Sequence, residues 1–109
     1  MSRDNYLKYY RVILFNFRDS YELKTSDIEF LFFVYDMESF TCMDIMVEYR
    51  SSNSFITRNI PELLNKGYIK IYLERAHNRA RKYMISQQGK LLVTRFYRLL
   101  KESEHDLFK

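Results

Sequence analysis

Four basic side chains lie within eight consecutive residues in the second half of the chain: Arg75, Arg79, Arg81 and Lys82. The segment 75–82 also holds His77 and Asn78, and it contains no Asp or Glu. A short loop needs no such charge in order to fold, and repulsion makes the cluster mildly unfavourable. Cations grouped in this way can bind phosphate groups, and arginines can enter a narrow minor groove of DNA. A merely solvated loop is the alternative interpretation.

A second set of polar residues precedes this loop, in a segment whose apolar residues recur at three- and four-residue steps. That spacing predicts a helix over about residues 53–66. Its inner face comprises Ile56, Ile60, Leu63 and Leu64. The residues left to face outward are Asn53, Ser54, Thr57 and Arg58. Arg can pair with guanine, Asn with adenine and Ser or Thr with either, and a good bidentate contact discriminates by about 1–3 kcal/mol. Taken alone, an ordinary amphipathic helix with a solvated polar face explains the pattern equally well.

The two halves of the chain carry opposite charge. Residues 1–49 hold five Lys/Arg against nine Asp/Glu, a balance of −4, whereas residues 50–109 hold 13 against five, a balance of +8. The net charge of +4 therefore hides a strongly basic half that contains both polar sets. Such a concentration of positive charge is typical of a surface that binds a phosphate backbone.

Composition predicts one folded domain. The chain has 109 residues, of which 47% are hydrophobic, and it has only two Gly and one Pro, so regular elements with short connections are expected. The single cysteine, Cys42, excludes an internal disulfide and a Cys-based zinc site, and we expect a buried structural thiol. Neither a signal peptide nor a membrane span is apparent, which predicts a cytoplasmic protein, in a bacterial cell or in the host cytoplasm if phage-encoded.

Two helices are predicted near the start of the chain. Apolar spacing predicts the first over residues 6–17, with Asp19 and Ser20 interrupting it. The sequence SDIE at residues 26–29 has the pattern of a capping box, which begins a second helix that ends near residues 36–39. The inward residues of the second helix are Ile28, Leu31, Phe32 and Tyr35.

A third helix is predicted between these two and the helix at 53–66. Phe40 and Thr41 form a short extended piece, and Thr41 can cap a helix from Cys42 to about Tyr49. The polar turn after it leads to the helix at 53–66, so the two helices form a helix-turn-helix unit, and Gly67 is a natural stop.

The remaining elements are two strands and a last helix. Residues 68–73 and 82–85 alternate around the basic loop, and Ser86 caps a helix. Its apolar stripe comprises Leu92, Phe96, Leu99 and Leu100. The whole order is helix, helix, short strand, helix, helix, strand, strand, helix. The fold class is therefore mainly α with a small β-wing, a winged helix-turn-helix.

The ends of the chain suggest self-association. Residues 25–86 form the predicted DNA-binding lobe, and the terminal helices at 4–18 and 87–108 have more apolar length than a small core needs. We expect these helices to pack against a second copy in a homodimer, which would place two recognition helices about 34 Å apart and read a pseudo-palindrome. In the competing interpretation, the two helices simply pack on each other within one monomer.

Residues for catalysis, a cofactor or a metal are not found together. His77 and His105 lie in different regions without a metal-spaced partner, and no Gly-rich phosphate loop is present. No nucleophile, base and orienting group can be assembled from neighbouring motifs. We therefore expect neither enzyme activity nor a cofactor.

In these motifs the chain resembles the MarR family of bacterial transcription regulators, including the short SarA-like members of staphylococci, over about residues 25–100. The run ITRNIPELLNKGYI is similar to the family's recognition helix and wing entry, with Thr57 and Arg58 at the DNA-facing pair. The run HNRARKYMISQQG is similar to the wing return, with Arg79 at the tip arginine and Gly89 at the glycine that follows the wing.

Three residues depart from that pattern. His77 replaces the usual tip Asp, which removes the salt bridge that normally orients the wing, and Ile71 replaces a frequent basic residue. Pro61 lies inside the recognition helix, where it removes a backbone hydrogen bond. The chain is also shorter than most relatives, so the resemblance implies a reduced or absent effector pocket, and the small-molecule effector stays unknown.

The sequence thus predicts a sequence-specific regulator of transcription that binds double-stranded DNA. The recognition helix would enter the major groove, and the basic wing at 75–82 would hold the flanking backbone or minor groove. The predicted contact residues are Arg50, Ser52, Asn53, Ser54, Thr57, Arg58, Lys70, Arg75, Arg79 and Arg81.

Two alternatives stay open. One is a winged helix reused as a protein–protein interaction module, in a phage or plasmid accessory or virion protein; Pro61, His77 and the many Tyr and Phe residues are compatible with it. The other is a replication-initiation or architectural DNA binder with weak sequence preference.

Overall fold

The computed structural model describes residues 3–49, 53–75, 77 and 79–107, with side chains from Tyr6 to Ser103 in those ranges. These residues form a mainly helical fold with a two-stranded antiparallel sheet, which confirms the predicted fold class. The elements are α1 (Arg3–Tyr21), α2 (Thr25–Val34), α3 (Cys42–Glu48), α4 (Asn53–Lys66), β1 (Ile69–Leu73), β2 (Lys82–Ile85) and α5 (Gln87–Leu107). No helix in the described ranges is long and apolar enough to cross a membrane.

Helix α1 is longer than the sequence predicted. It continues through Asp19 and Ser20 to Tyr21, so the expected interruption is wrong. The Asp19 carboxylate accepts from Arg18 Nε at 3.0 Å on the solvent side, and the polar pair is therefore compatible with the last helical turn. The helix is terminated by the next residue, Glu22, whose φ of +54° is left-handed, and Leu23 N donates to the Arg18 carbonyl at 3.1 Å. That bond closes the end as in a Schellman motif.

Helix α2 begins with a different cap from the predicted one. Lys24 is the N-cap residue, and its backbone N–H donates to Asp27 Oδ2 at 3.3 Å. The predicted capping box of Ser26 and Glu29 is wrong because Asp27, rather than Glu29, is the third helical residue. The helix also ends at Val34, earlier than expected.

The predicted starts and stops of α3 and α4 are confirmed. Thr41 N donates to Asp44 Oδ2 at 2.9 Å, and Asp44 N donates to Thr41 Oγ1 at 3.1 Å, which is a complete capping box. Helix α4 spans the predicted range and continues through Pro61. Gly67 stops it with a φ of +85°, a conformation that glycine adopts without steric cost.

Two aromatic clusters hold the core together. Phe30 of α2 is fully buried against Phe40, Tyr49 and Phe55, so it joins α2 to the helix-turn-helix unit. Phe96 of α5 lies 4.7–5.5 Å from the rings of Tyr10, Phe17 and Phe32. Rings at these distances add roughly 0.5–1.5 kcal/mol per pair beyond the area they bury.

The terminal helices α1 and α5 pack on each other within the monomer through the Phe96 cluster. Of the predicted α5 stripe, Leu92 and Phe96 are buried and Leu100 is half-buried. Leu99, the remaining member of that stripe, is 41% exposed in the monomer. The same pair of helices leaves other large apolar side chains exposed, namely Leu7, Val12, Phe15, Leu91 and Tyr97.

Candidate nucleic-acid interface

Helix α4 presents the four predicted residues to solvent. Asn53, Ser54, Thr57 and Arg58 are all exposed, whereas Asn59, Ile60 and Leu63 are buried on the opposite side. Leu64 and Ile56 are half-buried against the core, as their spacing predicted. The other two predicted residues on this side, Arg50 and Ser52, lie outside the described residues.

Two of the outward residues differ in how free they are. Thr57 Oγ1 donates to the backbone carbonyls of Asn53 at 2.9 Å and Ser54 at 3.3 Å. Its hydroxyl hydrogen is therefore used within the helix, which leaves its lone pairs and methyl group for a base or phosphate. Arg58 has no carboxylate within 4 Å among the described side chains, because Glu62 pairs with Lys66 at 3.1 Å instead. Arg58 is thus the cation of α4 that is available to a base edge.

The base of the wing is firmly attached to the body of the protein. Tyr83 of β2 and Phe40 exchange two backbone hydrogen bonds of 2.8 Å, and their rings stack at 5.9 Å. Ser86 Oγ donates to the Gly67 carbonyl at 2.5 Å and accepts from Gly89 N at 3.1 Å, so the predicted Ser86 cap is confirmed. These hydrogen bonds therefore hold the base of the hairpin against Phe40 and against the start of α5.

Towards its tip the wing becomes irregular. Ile71 pairs with Tyr83 and Leu73 with Lys82, with a register shift between the two pairs. Arg79 and Arg81 precede β2, which begins at Lys82. His77 is exposed and has a φ of +52°, which makes it a left-handed turn residue. Lys70, Arg75 and Arg79 are exposed along this hairpin.

Arg81 is half-buried and is not a free cation. Its Nε donates to Glu74 Oε1 at 2.6 Å, and the same oxygen accepts from Arg75 N at 3.0 Å. The bond from the Arg75 backbone N–H, followed by that from Arg81, lowers the pKa of Glu74 below its ordinary value. The sequence interpretation placed Arg81 among the free cations because Glu74 lies just before the acid-free segment 75–82.

Cys42 lies beside this part of the wing. Its side chain is half-buried rather than buried, so that expectation is corrected. Burial raises the pKa of the thiol, although the Arg81 charge opposes this effect. A thiol in such surroundings is a poor nucleophile. In the described part of the chain, no group of three or more His, Cys, Asp and Glu side chains is arranged to hold a metal ion.

Comparison with known proteins gives structural neighbours only. No family model and no curated protein matches the sequence. A MepR–DNA complex from S. aureus superposes with a TM-score of 0.78 and 17% identity over 89% of this chain and 73% of that chain. A mutant of E. coli MarR in complex with operator DNA gives 0.69 and 12%, over 94% and 74%. A MarR transcriptional regulator from Methanosarcina mazei gives 0.68 and 16%, over 94% and 68%.

The chain has the MarR-type winged-helix fold. The TM-scores establish the fold. The identities are too low to assign the interface residues, which are judged on their own chemistry. In MarR-type terms α3 and α4 are the helix-turn-helix, and β1 and β2 are the wing. The salt bridge between Glu74 and Arg81 joins the two sides of the hairpin.

A small hollow lies between the lobe and the terminal helices of this MarR-type fold. It has a volume of about 210 Å³ and is lined mainly by aromatic side chains of α1, α2 and α5, including Tyr10, Phe32 and Phe96. Ligand pockets usually measure about 300–1,000 Å³, so the space for an effector at this position is small.

Proposed function

We propose that the chain is a sequence-specific regulator of transcription that binds double-stranded DNA in the cytoplasm. Helix α4 enters the major groove with Asn53, Ser54, Thr57 and Arg58, and the wing tip holds the flanking backbone or minor groove. The observation that carries the proposal is the state of three exposed arginines. Among the described side chains, no carboxylate lies within 4 Å of the guanidinium group of Arg58, Arg75 or Arg79.

Unpaired arginines on a helix face and on a hairpin tip suit DNA, a polyanion that presents both base edges and phosphate groups. A guanidinium on a recognition helix can bind guanine O6 and N7, which depends on sequence. A guanidinium on a wing can bind phosphates or enter the minor groove, which depends on charge and groove width. Support comes also from the two DNA complexes, MepR and MarR, that this chain resembles in fold.

Salt dependence provides the first test. Each neutralised phosphate lowers the slope of log K against log salt by about 0.9, so three free arginines contribute a slope of nearly −3. Fluorescence anisotropy with a labelled duplex between low and physiological salt measures this slope. Arg18→Ala is the matched control, because Arg18 lies on α1 and is already paired with Asp19. The absence of salt-dependent duplex binding would refute the proposal.

The proposal includes a homodimer formed by α1 and α5. These helices expose Leu7, Val12 and Leu99, and an open groove of about 520 Å³ lies between them. Apolar side chains of this size on adjoining helices are more typical of a subunit interface than of free surface. Sedimentation equilibrium tests this point: a mass twice 13.5 kDa is expected, and a monomer at all concentrations would contradict it.

One observation favours a second candidate, a protein–protein interaction module. Met43 and Val47 on the outer side of α3 are 64% and 67% exposed, and a surface for DNA alone does not need them. A stoichiometric protein partner that is lost in Met43→Ser/Val47→Ser and kept in Arg79→Ala would support this candidate. Salt-dependent binding without sequence preference would instead indicate an architectural or replication-initiation protein.

A further inference from the structure

The lobe contains a buried polar contact between α2 and the recognition helix. Asn59 Nδ2 of α4 donates to Asp27 Oδ1 at 2.5 Å, and Lys24 N donates to the other carboxylate oxygen at 3.3 Å. Asp27 is fully buried and Asn59 is 6% exposed. Among the described side chains no Lys or Arg forms an ion pair with Asp27. The carboxylate is therefore held by hydrogen bonds and by its place in the first turn of α2.

The charge of Asp27 affects a neighbouring tyrosine of the core. Tyr49, whose ring stacks on Phe30, has a raised pKa because of burial first, then the charge of Glu29 and then that of Asp27. Leaving either member of such a pair without its partner is costly, because a buried unpaired polar group loses its hydration. An apolar residue at either position would need no hydrogen-bond partner. The core therefore contains a polar contact whose burial costs hydration free energy.

That contact differs from its neighbours in being directional. Ile60 and Leu63 hold α4 to the core by burial of apolar area, which tolerates small rotations of the helix about its axis. A hydrogen bond weakens steeply as its angle and length change, so the amide of Asn59 fixes where its helix face points. Asn59 directly follows Arg58, and a rotation that moved one would move the other.

We propose that the Asp27–Asn59 contact is a positioning pair that sets the rotation of α4 on α2 and thereby aims Thr57 and Arg58. The inference rests on the proposed DNA-binding function for its consequence, though its structural part is independent of DNA. Neither residue touches DNA in this account. Loss of the pair lowers the preference for the cognate duplex and leaves the wing's general affinity for DNA unchanged.

The test is Asn59→Gln, which keeps the amide but lengthens the side chain by one bond of about 1.5 Å. To restore the hydrogen bond α4 must shift, and we expect its axis or rotation to change by roughly 10° in residual dipolar couplings of α2 and α4 amides. We expect the ratio of cognate to scrambled duplex affinity to fall about tenfold, with the scrambled duplex bound as before. Asn65→Gln, an exposed site on the same helix, is the matched control.

Asp27→Asn is the conservative variant. Its oxygen can accept from Lys24 N while its amide donates to a flipped Asn59, so orientation and preference should both be retained. Unchanged couplings in Asn59→Gln, or an unchanged affinity ratio in a protein whose α4 has moved, would overturn the inference. Should wild type bind no duplex, the proposed function fails, while the couplings still decide whether the pair positions α4.

A second variant covers the case in which Asn59→Gln does not fold. Asp27→Ala/Asn59→Ala removes both side-chain partners, so of this contact only the backbone N–H of the exposed Lys24 loses its acceptor. The variant is measured with sucrose, an osmolyte that favours the folded state. We expect a folded protein with a reduced affinity ratio. A folded double variant with the wild-type ratio, or one that is unfolded even in sucrose, would mean that the pair serves folding alone and would overturn the inference.

Discussion

The recognition helix and the wing are the two parts of the proposed interface, and they are built in opposite ways. Helix α4 buries one side in the core and has the directional contact of Asn59, so its outward residues are held by the whole lobe. The wing is anchored mainly at its base, with one further hydrogen bond from the Tyr72 hydroxyl to Glu38 Oε1 at 3.1 Å. Its strands are mostly exposed, and its pairing becomes irregular near Leu73. A rigid element is suited to reading bases, whereas an irregular charged hairpin is suited to binding phosphates at several positions.

The largest expected effect comes from breaking the attachment of the wing base. Gly89 is buried in the first turn of α5, where a Cβ would meet the Tyr68 carbonyl and lie 2.7 Å from Ile85 Cγ1. Gly89→Ala should therefore destabilise the protein by about 3 kcal/mol, as overpacking does. Chemical denaturation measures this change, and Gln88→Ala is the neighbouring exposed control. A stability equal to that of wild type would show that the wing base is less rigid than its hydrogen bonds indicate.

The next effect separates the two parts by specificity. Arg58→Ala should lose about 1–3 kcal/mol on a cognate duplex because one bidentate base contact is removed, and it should lose much less on a scrambled duplex. Competition anisotropy with both duplexes gives the comparison. Equal losses on the two duplexes would mean that Arg58 binds phosphate, and α4 would then not be the reading element.

The wing variant should give the complementary result. Arg79→Ala should weaken all duplexes to a similar extent and flatten the salt slope by about one unit, since one phosphate contact is lost. The slope is obtained from titrations at four or more salt concentrations. A loss confined to the cognate duplex would assign base reading to the wing.

The smallest effect concerns the pair Glu74–Arg81. Arg81→Ala should change the salt slope less than Arg79→Ala does, because Glu74 already neutralises Arg81. The pKa of Glu74 is depressed in the folded protein, so the pair is present above the ordinary carboxyl pKa and is lost as pH falls through the depressed value. Carboxyl NMR shifts during an acid titration report that value. A Glu74 pKa at or above that of a free glutamate would show that the Glu74–Arg81 salt bridge does not persist.

How much the sequence could predict depended on the range of the interaction. Several local signals placed their elements correctly: the Thr41 cap marked the start of α3, and the spacing of Ile60 and Leu63 with the Gly67 stop placed α4 and its outward face. The wrong predictions concerned residues near the end of a helix, or residues whose partners lie elsewhere in the chain. Asp27 looked like an interior residue of SDIE until its contact with Asn59 and its bond from Lys24 were known.

The wing shows the same limit. The positive charge at Arg75 and Arg79 was readable from composition, but Arg81 could not be separated from them without the fold. Its pairing with Glu74 depends on the register shift near Leu73, which strand periodicity does not encode. Similarly, Leu99 has the spacing of a core residue, and only the packing of α5 against α1 shows that it faces outward.

The most direct test of the central claim is selection of bound sequences from a random pool of DNA duplexes, with wild type and Arg58→Ala in parallel. We expect wild type to enrich one motif, pseudo-palindromic if the protein is a dimer, and Arg58→Ala to relax the preference at a defined position while still binding DNA. If wild type enriches no motif, or if Arg58→Ala selects the same motif equally well, then helix α4 does not read DNA sequence, which contradicts the proposed function.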